Sequence, residues 1–199
     1  EDHGGGLGHL WSRLKAPVYA RPFTSIHARR KMEETAKDPD EVRIAEPYPA
    51  VIEAGPFRVQ FAPVSHSIPE ASALIIDTPE GRVVHSGDFK IDHEPVVGEP
   101  FDAEMFRDIA QGGIRAFICD STNVFSRHEG RSESQLPEPI GKLIGEARGM
   151  VVATTFASNV ARLKTLAEAG HRAGRSVCLV GRAMRRMIEA AVSSGVLAD

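Results

Sequence analysis

Cysteine is scarce in this sequence, with two in 199 residues, and that excludes a disulfide framework as the source of stability. Cys119 and Cys178 each lie in an apolar stretch that reads as a buried strand, and a reducing cytoplasm is the setting this usage suggests. No apolar run approaches the roughly 20 residues that span a membrane, so no membrane partner is expected. The opening residues, Glu1-Asp2-His3-Gly4, lack the apolar core of a secretory signal. A basic excess is missing too: 24 Lys and Arg against 27 Asp and Glu give a formal net charge of −3. That weighs against a passive binder held by phosphate charge. It weighs less against an enzyme, because bound cations or a local basic groove supply the same attraction. Repeats and low-complexity segments are absent. The chain opens at full structural density without a methionine, and it is expected to be a fragment of a longer protein.

What is present divides into two rhythms. Leu7 to Lys15 reads as a helix with Leu7, Leu10, Trp11 and Leu14 on one face. Pro17 ends it, Val18 to Ala20 is a short strand, and Ser25 to Lys37 is a second helix broken by Asp38-Pro39-Asp40. Phe57 to Phe61 alternates apolar and polar with the period of a half-buried strand. Ala73 to Asp77, the turn Pro79-Glu80-Gly81, and Arg82 to His85 form a hairpin. From Ile114 onward strands and helices alternate. Strands are expected at Ile114 to Cys119, Met150 to Thr154 and Val177 to Val180, with helices at Ile140 to Ala147, Asn159 to Ala173 and Met184 to Val192. Alternation of this kind implies a parallel sheet. The polar stretch Ser126 to Pro139 is the natural boundary, placing one unit at 1–130 and a second at 131–199.

Three clusters of acceptor-rich residues each follow an apolar strand: Val64-Ser65-His66-Ser67, Ser86-Gly87-Asp88-Phe89 and Cys119-Asp120-Ser121-Thr122-Asn123. A fourth, Asp2-His3, opens the chain before three glycines. Loops at one end of a sheet can gather such groups, and imidazole nitrogens with carboxylates are what zinc or manganese requires. Taken singly, each has a plainer reading. Asp2-His3 could be a surface loop, His66 a satisfied core histidine, Asp88 part of a common turn, and Asp120 a cap of a helix or turn.

In their order and spacing, these residues resemble the metallo-β-lactamase/β-CASP hydrolases, and most of all the ribonuclease J branch. Glu1-Asp2-His3-Gly4-Gly5-Gly6-Leu7 looks like the last half of that family's His-x-His-x-Asp-His motif. Pro63-Val64-Ser65-His66-Ser67-Ile68-Pro69 and His85-Ser86-Gly87-Asp88-Phe89-Lys90-Ile91-Asp92 look like its next two metal motifs. Asp120-Ser121-Thr122-Asn123, Thr155-Phe156-Ala157-Ser158-Asn159 and Gly181-Arg182-Ala183-Met184 resemble β-CASP segments, the last with Ala183 where serine is usual.

The resemblance implies an α/β fold: part of a metallo-β-lactamase αββα sandwich followed by part of a β-CASP α/β domain. It implies two divalent metal ions, zinc first, with manganese or magnesium as alternatives. Asp2 and His3 would hold the second ion, His66 the first, and Asp88 both. Asp2 would also handle protons, and Asp120 would orient a ligand or a water as carboxylates behind a metal do. Both histidines of His-x-His, the final histidine ligand and the later β-CASP histidine motifs are not in the chain. The fragment by itself is therefore expected to bind metal weakly and to be inactive.

Arg29-Arg30-Lys31 and Arg182, Arg185 and Arg186 are candidate phosphate contacts, with a solvated helix face as the plainer reading. Ser158 and Asn159 stand at a strand-to-helix junction, either as a helix cap or as a contact to a substrate phosphate. The expected activity is metal-dependent hydrolysis of single-stranded RNA, endonucleolytic or from the 5′ end, in the cytoplasm. RNA rather than DNA follows from the resemblance alone. A non-catalytic RNA-binding scaffold, or a hydrolase of the same fold with another substrate, are the competing readings. Exposed sheet edges would invite self-association into a homo-oligomer.

Overall fold

The computed structural model describes residues 3–127 and 130–198. Helix α1 (Leu7–Leu14), strand β1 (Val18–Ala20), helix α2 (Pro22–Glu34) and strand β2 (Val42–Ile44) come first. Strands β3 (Ile52–Ala54), β4 (Phe57–Pro63), β5 (Ser72–Thr78) and β6 (Gly81–His85) follow, then helix α3 (Ala103–Gln111) and strand β7 (Ala116–Ile118). Helices α4 (Pro137–Glu146), α5 (Val160–Arg172) and α6 (Arg182–Ser193) complete the chain. The architecture is mixed α/β, as expected, and consistent with the metallo-β-lactamase-related fold.

The main sheet has the order β3-β4-β5-β6-β7, and β1 pairs with β2 in a separate parallel ribbon. β4 is antiparallel to β5, β5 antiparallel to β6, and β6 parallel to β7. Two antiparallel steps restore direction, so β4, β6 and β7 all run the same way. Their carboxyl ends therefore lie along one edge of the sheet.

The alternation expected over Phe57 to Phe61 does not set the buried face of β4: Phe57 is exposed and Val59 and Phe61 are only half-buried, while Ala62, of the opposite parity, is buried with Val64, Ala73, Ile75, Val84 and Ile109 of α3. Asp102 caps α3 by accepting the Glu104 and Met105 N–H groups. Arg82 pairs with Asp77 across the hairpin at 2.7 Å and donates to the Ile109 carbonyl at 2.8 Å, which fixes α3 to the sheet. A second cluster joins Phe23 of α2, Val160 of α5 and Met187, Ala190 and Ala191 of α6, with Ile68 packed on it. The loop that carries His66 is thus wedged against three helices.

α2 begins earlier than expected, at Pro22, whose ring presets the first helical turn. Its N-cap position holds Arg21, with no capping bond from that side chain. Glu70 supplies the cap instead, accepting the Phe23 N–H at 2.6 Å from 47 positions away. α1 packs on α2 through Gly8, where an added Cβ would lie 2.1 Å from the Thr35 hydroxyl and 2.6 Å from the Lys31 carbonyl. That close crossing turns Leu7 and Trp11 inward and leaves Leu10 and Leu14 exposed, contrary to the expected four-residue face.

The second half departs further. Residues 150–154 and 177–180 form no strand, because no ladder partner lies beside them among the described residues. Met150, Val152 and Val180 are consequently exposed, and the expected parallel sheet is not formed there. Both cysteines are exposed, not buried. Cys119 falls just beyond β7, an edge strand with both faces uncovered, and Cys178 lies in the unpaired 177–180 segment.

Candidate metal centre

β4 delivers its polar cluster through a closed loop. The Val64 N–H bonds to the Ala71 carbonyl, and Glu70 takes a left-handed backbone, φ 59°, as it reaches to cap α2. His66 is half-buried, with Nδ1 3.4 Å from the Ser67 hydroxyl. Ser65 is buried; its hydroxyl donates to the Asp92 carbonyl at 2.9 Å and its own carbonyl accepts the Lys90 N–H at 2.7 Å.

β6 ends in a tight turn. Gly87 has φ 60°, and an added Cβ would meet the Ser72 carbonyl at 3.2 Å. The Gly87 N–H donates to His85 Nδ1 at 3.0 Å, which fixes the His85 proton on Nε2. The buried Ser86 donates to the Gly87 carbonyl at 2.6 Å and accepts the Asp120 N–H at 2.9 Å. Ser86 thereby joins the β6 and β7 loops.

Asp88, presented by this turn, has Oδ2 3.6 Å from His3 Nε2. Asp120 accepts the Thr122 N–H at 2.9 Å and its hydroxyl at 2.7 Å. Those two bonds, helped by the Phe89 N–H and the nearby charge of His66, hold the Asp120 carboxyl below its ordinary range against a smaller opposing effect of burial.

The structure therefore brings His3 to Asp88 at one edge of the sheet, where the loops bearing His66 and Asp120 also lie. Asp2 lies outside the described residues. Imidazole nitrogen and carboxylate oxygen suit a borderline divalent cation. The His3–Asp88 separation is close to the ~3.3 Å between two ligand atoms that each bond one tetrahedral ion at about 2.0 Å. No group of three or more ligand side chains converges among the described residues. The donors present fit a metal in chemistry and in one pair spacing, and they form only part of a shell.

The remaining candidates sit elsewhere. Asn159 is buried and caps α5, its Oδ1 accepting the Arg162 N–H at 3.0 Å. Ser158 immediately precedes it, half-buried. Arg182 opens α6 and shares a shallow concavity with Gly181, Arg185, Arg186 and Glu189. Arg29, Arg30, Lys31 and Arg186 are engaged structurally, with the Val42 carbonyl, Glu189, Glu34 and Glu34 respectively.

Three organising residues escaped the sequence reading. Ser86 was visible only as part of Ser-Gly-Asp. Asp92 ends the same motif and is buried. Glu70 could have been sought because the N-cap of α2 is an arginine.

Residues 148–199 match the family model described as the β-CASP domain of ribonuclease J. A Ribonuclease J of Sinorhizobium meliloti is 44% identical over 207 residues, covering 99% of this chain and 35% of that protein. One from Mycolicibacterium smegmatis is 37% identical, with coverage of 99% and 35%. Ribonuclease J 1 of Streptococcus pyogenes is 32% identical, again with 99% and 35%. The chain spans about a third of the length of these relatives. In fold, it resembles a crystal structure of a protein of unknown function from Enterococcus faecalis, with TM-score 0.56, 18% identity, and coverage of 76% of this chain and 39% of that one. The last part of the chain thus matches the β-CASP domain of ribonuclease J, and the chain as a whole is similar to curated relatives that carry the name ribonuclease J.

Proposed function

We propose that this chain is part of a metal-dependent ribonuclease that hydrolyses phosphodiester bonds of single-stranded RNA, internally or from a 5′ end, through a dinuclear metal site. The observation that carries the reading is the gathering of the β4, β6 and β7 loops at one edge of the sheet, joined through Ser65–Lys90 and Ser86–Asp120 bonds, with His3 beside Asp88. The names of the relatives point to RNA.

In this reading Asp2 and His3 would hold one ion, His66 the other, and Asp88 would serve both, with zinc the first candidate and manganese or magnesium the alternatives. Such ions would make hydroxide available near neutral pH and offset charge on the phosphate oxygens. Asp2 would receive and return the proton. Asp120, anchored by Thr122 and Phe89, orients the site from behind. Ser158 and Asn159, together with backbone N–H groups at the start of α5, would make a polar contact to a phosphate of the substrate, and Arg182 would add positive charge. The unit at 131–199 would clamp the strand against the unit at 1–130. No helix among the described residues is long and apolar enough to cross a membrane, and the proposed place of action is the cytoplasm. The exposed β7 edge would favour self-association. The 199-residue chain alone would be inactive.

The test uses the intact protein and an Asp88→Ala variant on 5′-monophosphorylated single-stranded RNA. Metal-dependent cleavage that disappears in the variant supports the reading. An intact protein with neither bound metal nor cleavage overturns it and leaves an RNA-binding scaffold on a nuclease fold.

A further inference from the structure

We propose that Asp92 is a positioning residue that binds the His66 loop, the Asp88 turn and the segment entering α4 into one unit, and that the Glu133–Arg162 pair extends this unit to the start of α5. The inference rests on the proposed metal centre and deepens it.

Asp92 is 4% exposed, a burial that an ionised carboxylate tolerates only when its oxygens are bonded. Its Oδ1 accepts the Glu94 N–H at 3.1 Å. Its Oδ2 receives the Lys90 ammonium at 3.2 Å and the Glu133 N–H at 3.3 Å. Its carbonyl accepts the Ser65 hydroxyl at 2.9 Å and the Phe101 N–H at 2.8 Å. Ser65 adjoins His66, and Lys90 stands two residues beyond Asp88. One residue thus joins both loops that carry candidate metal ligands.

The chain of contacts continues across the expected boundary between the two units. Glu133 grips Arg162 through two bonds, 2.9 Å from Nη2 and 3.1 Å from Nε. The Glu133 side chain is 15% exposed and that of Arg162 33%, so this pair is partly shielded from the screening that weakens surface ion pairs. The Arg162 N–H is in turn held by Asn159, the α5 cap. Ile68, on the His66 loop, packs on the same cluster as Val160 of α5. Polar and apolar contacts therefore connect the same two places. A staple that served folding alone would not require one residue to hold the Asp88 turn and the segment that holds α5 through its carboxylate and the His66 loop through its carbonyl.

The test measures Mn²⁺ binding by electron paramagnetic resonance and amide hydrogen exchange in the intact protein, with Asp92→Asn, Arg162→Gln and the double variant. Asp92→Asn is expected to weaken Mn²⁺ binding about tenfold or more while circular dichroism stays native, the range typical of groups that orient metal ligands. Arg162→Gln is expected to weaken it by a smaller factor and to speed exchange at the Ser65–Ser67 amides in metal-free protein. The two effects should be non-additive, as for members of one network. If Asp92→Asn does not fold, Ser65→Ala removes the hydroxyl that bonds the Asp92 carbonyl at 2.9 Å and the Glu99 carbonyl at 3.4 Å and is read in the same way. Mn²⁺ affinity within about twofold of wild type in a folded Asp92 or Ser65 variant overturns the proposal. Wild-type protein that takes up no Mn²⁺ overturns the metal centre instead. The metal-free exchange at residues 65–67 in Arg162→Gln then decides the connection to α5: unchanged exchange overturns it, and faster exchange supports it.

Discussion

The hydroxyl of Ser86 accepts the Asp120 N–H at 2.9 Å across 34 positions of sequence, while donating to the Gly87 carbonyl at 2.6 Å. One buried atom thus sets the spacing of two loops that carry candidate site carboxylates. Ser86→Ala should cost about 1–2 kcal/mol, because it leaves the Asp120 N–H without its partner. Guanidinium unfolding would show this as a lower midpoint at unchanged slope. A midpoint equal to wild type would mean that solvent replaces the hydroxyl.

Asp92 also sets a pH dependence. Burial alone would raise its carboxyl, but bonds from Ser132, the Glu94 N–H, Lys90 and the Glu133 N–H outweigh burial and lower it overall. A carboxyl lowered in the folded state contributes stability above its unfolded pKa and loses that contribution as pH falls through the folded value. Wild type should therefore exceed Asp92→Asn in stability at neutral pH, with the gap closing on the acid side below about pH 4, the ordinary carboxylate value. A gap constant down to strongly acid pH would contradict this.

The cap on α2 comes from Glu70, so Glu70→Ala should destabilise by about 1 kcal/mol, as loss of a helix cap does. Glu70→Gln keeps an oxygen that can accept the Phe23 N–H and should restore most of the loss. Thermal melts of the two variants separate capping from charge: equal losses in both would point to charge.

Gly8 leaves no room for a side chain. Gly8→Ala should destabilise by roughly 1–3 kcal/mol, in the manner of overpacking. Adding Thr35→Ala should not restore it, because the Lys31 carbonyl lies 2.6 Å from the added Cβ. Full recovery in the double variant would show that the Thr35 side chain alone obstructs α1.

Both thiols should react promptly with a disulfide reagent in native protein, since Cys119 and Cys178 are exposed. Two equivalents released before unfolding fit the structure. A thiol that waits for denaturant would show that its segment is covered in solution.

The loops bearing His66, Asp88 and Asp120 were legible in the sequence because each interrupts an apolar strand with a polar cluster, and the sheet turns that pattern into proximity. The unpaired 150–154 and 177–180 segments read as strands because their composition is apolar and β-branched. Pairing, however, depends on neighbours that a local pattern does not contain. The face of α1 was misread for a related reason. Glycine carries no hydrophobic signal, yet Gly8 is the residue α1 buries. Glu70 caps a helix start 47 positions away, and Asp92 meets Ser65 and Glu133 at 27 and 41 positions; no spacing rule within the chain marks such partners.

The reach from Glu70 to Phe23 bears on the order of events as the chain folds. A helix usually satisfies its first turn from residues beside it, and can form early. Here a first-turn amide of α2 waits for a side chain 47 positions later, on the loop that joins β4 to β5. The start of α2 should therefore mature only when that loop has closed. Closing so long an interval costs chain entropy before its contacts repay it, so α2 and the His66 loop should gain protection together, late, and in a single kinetic phase.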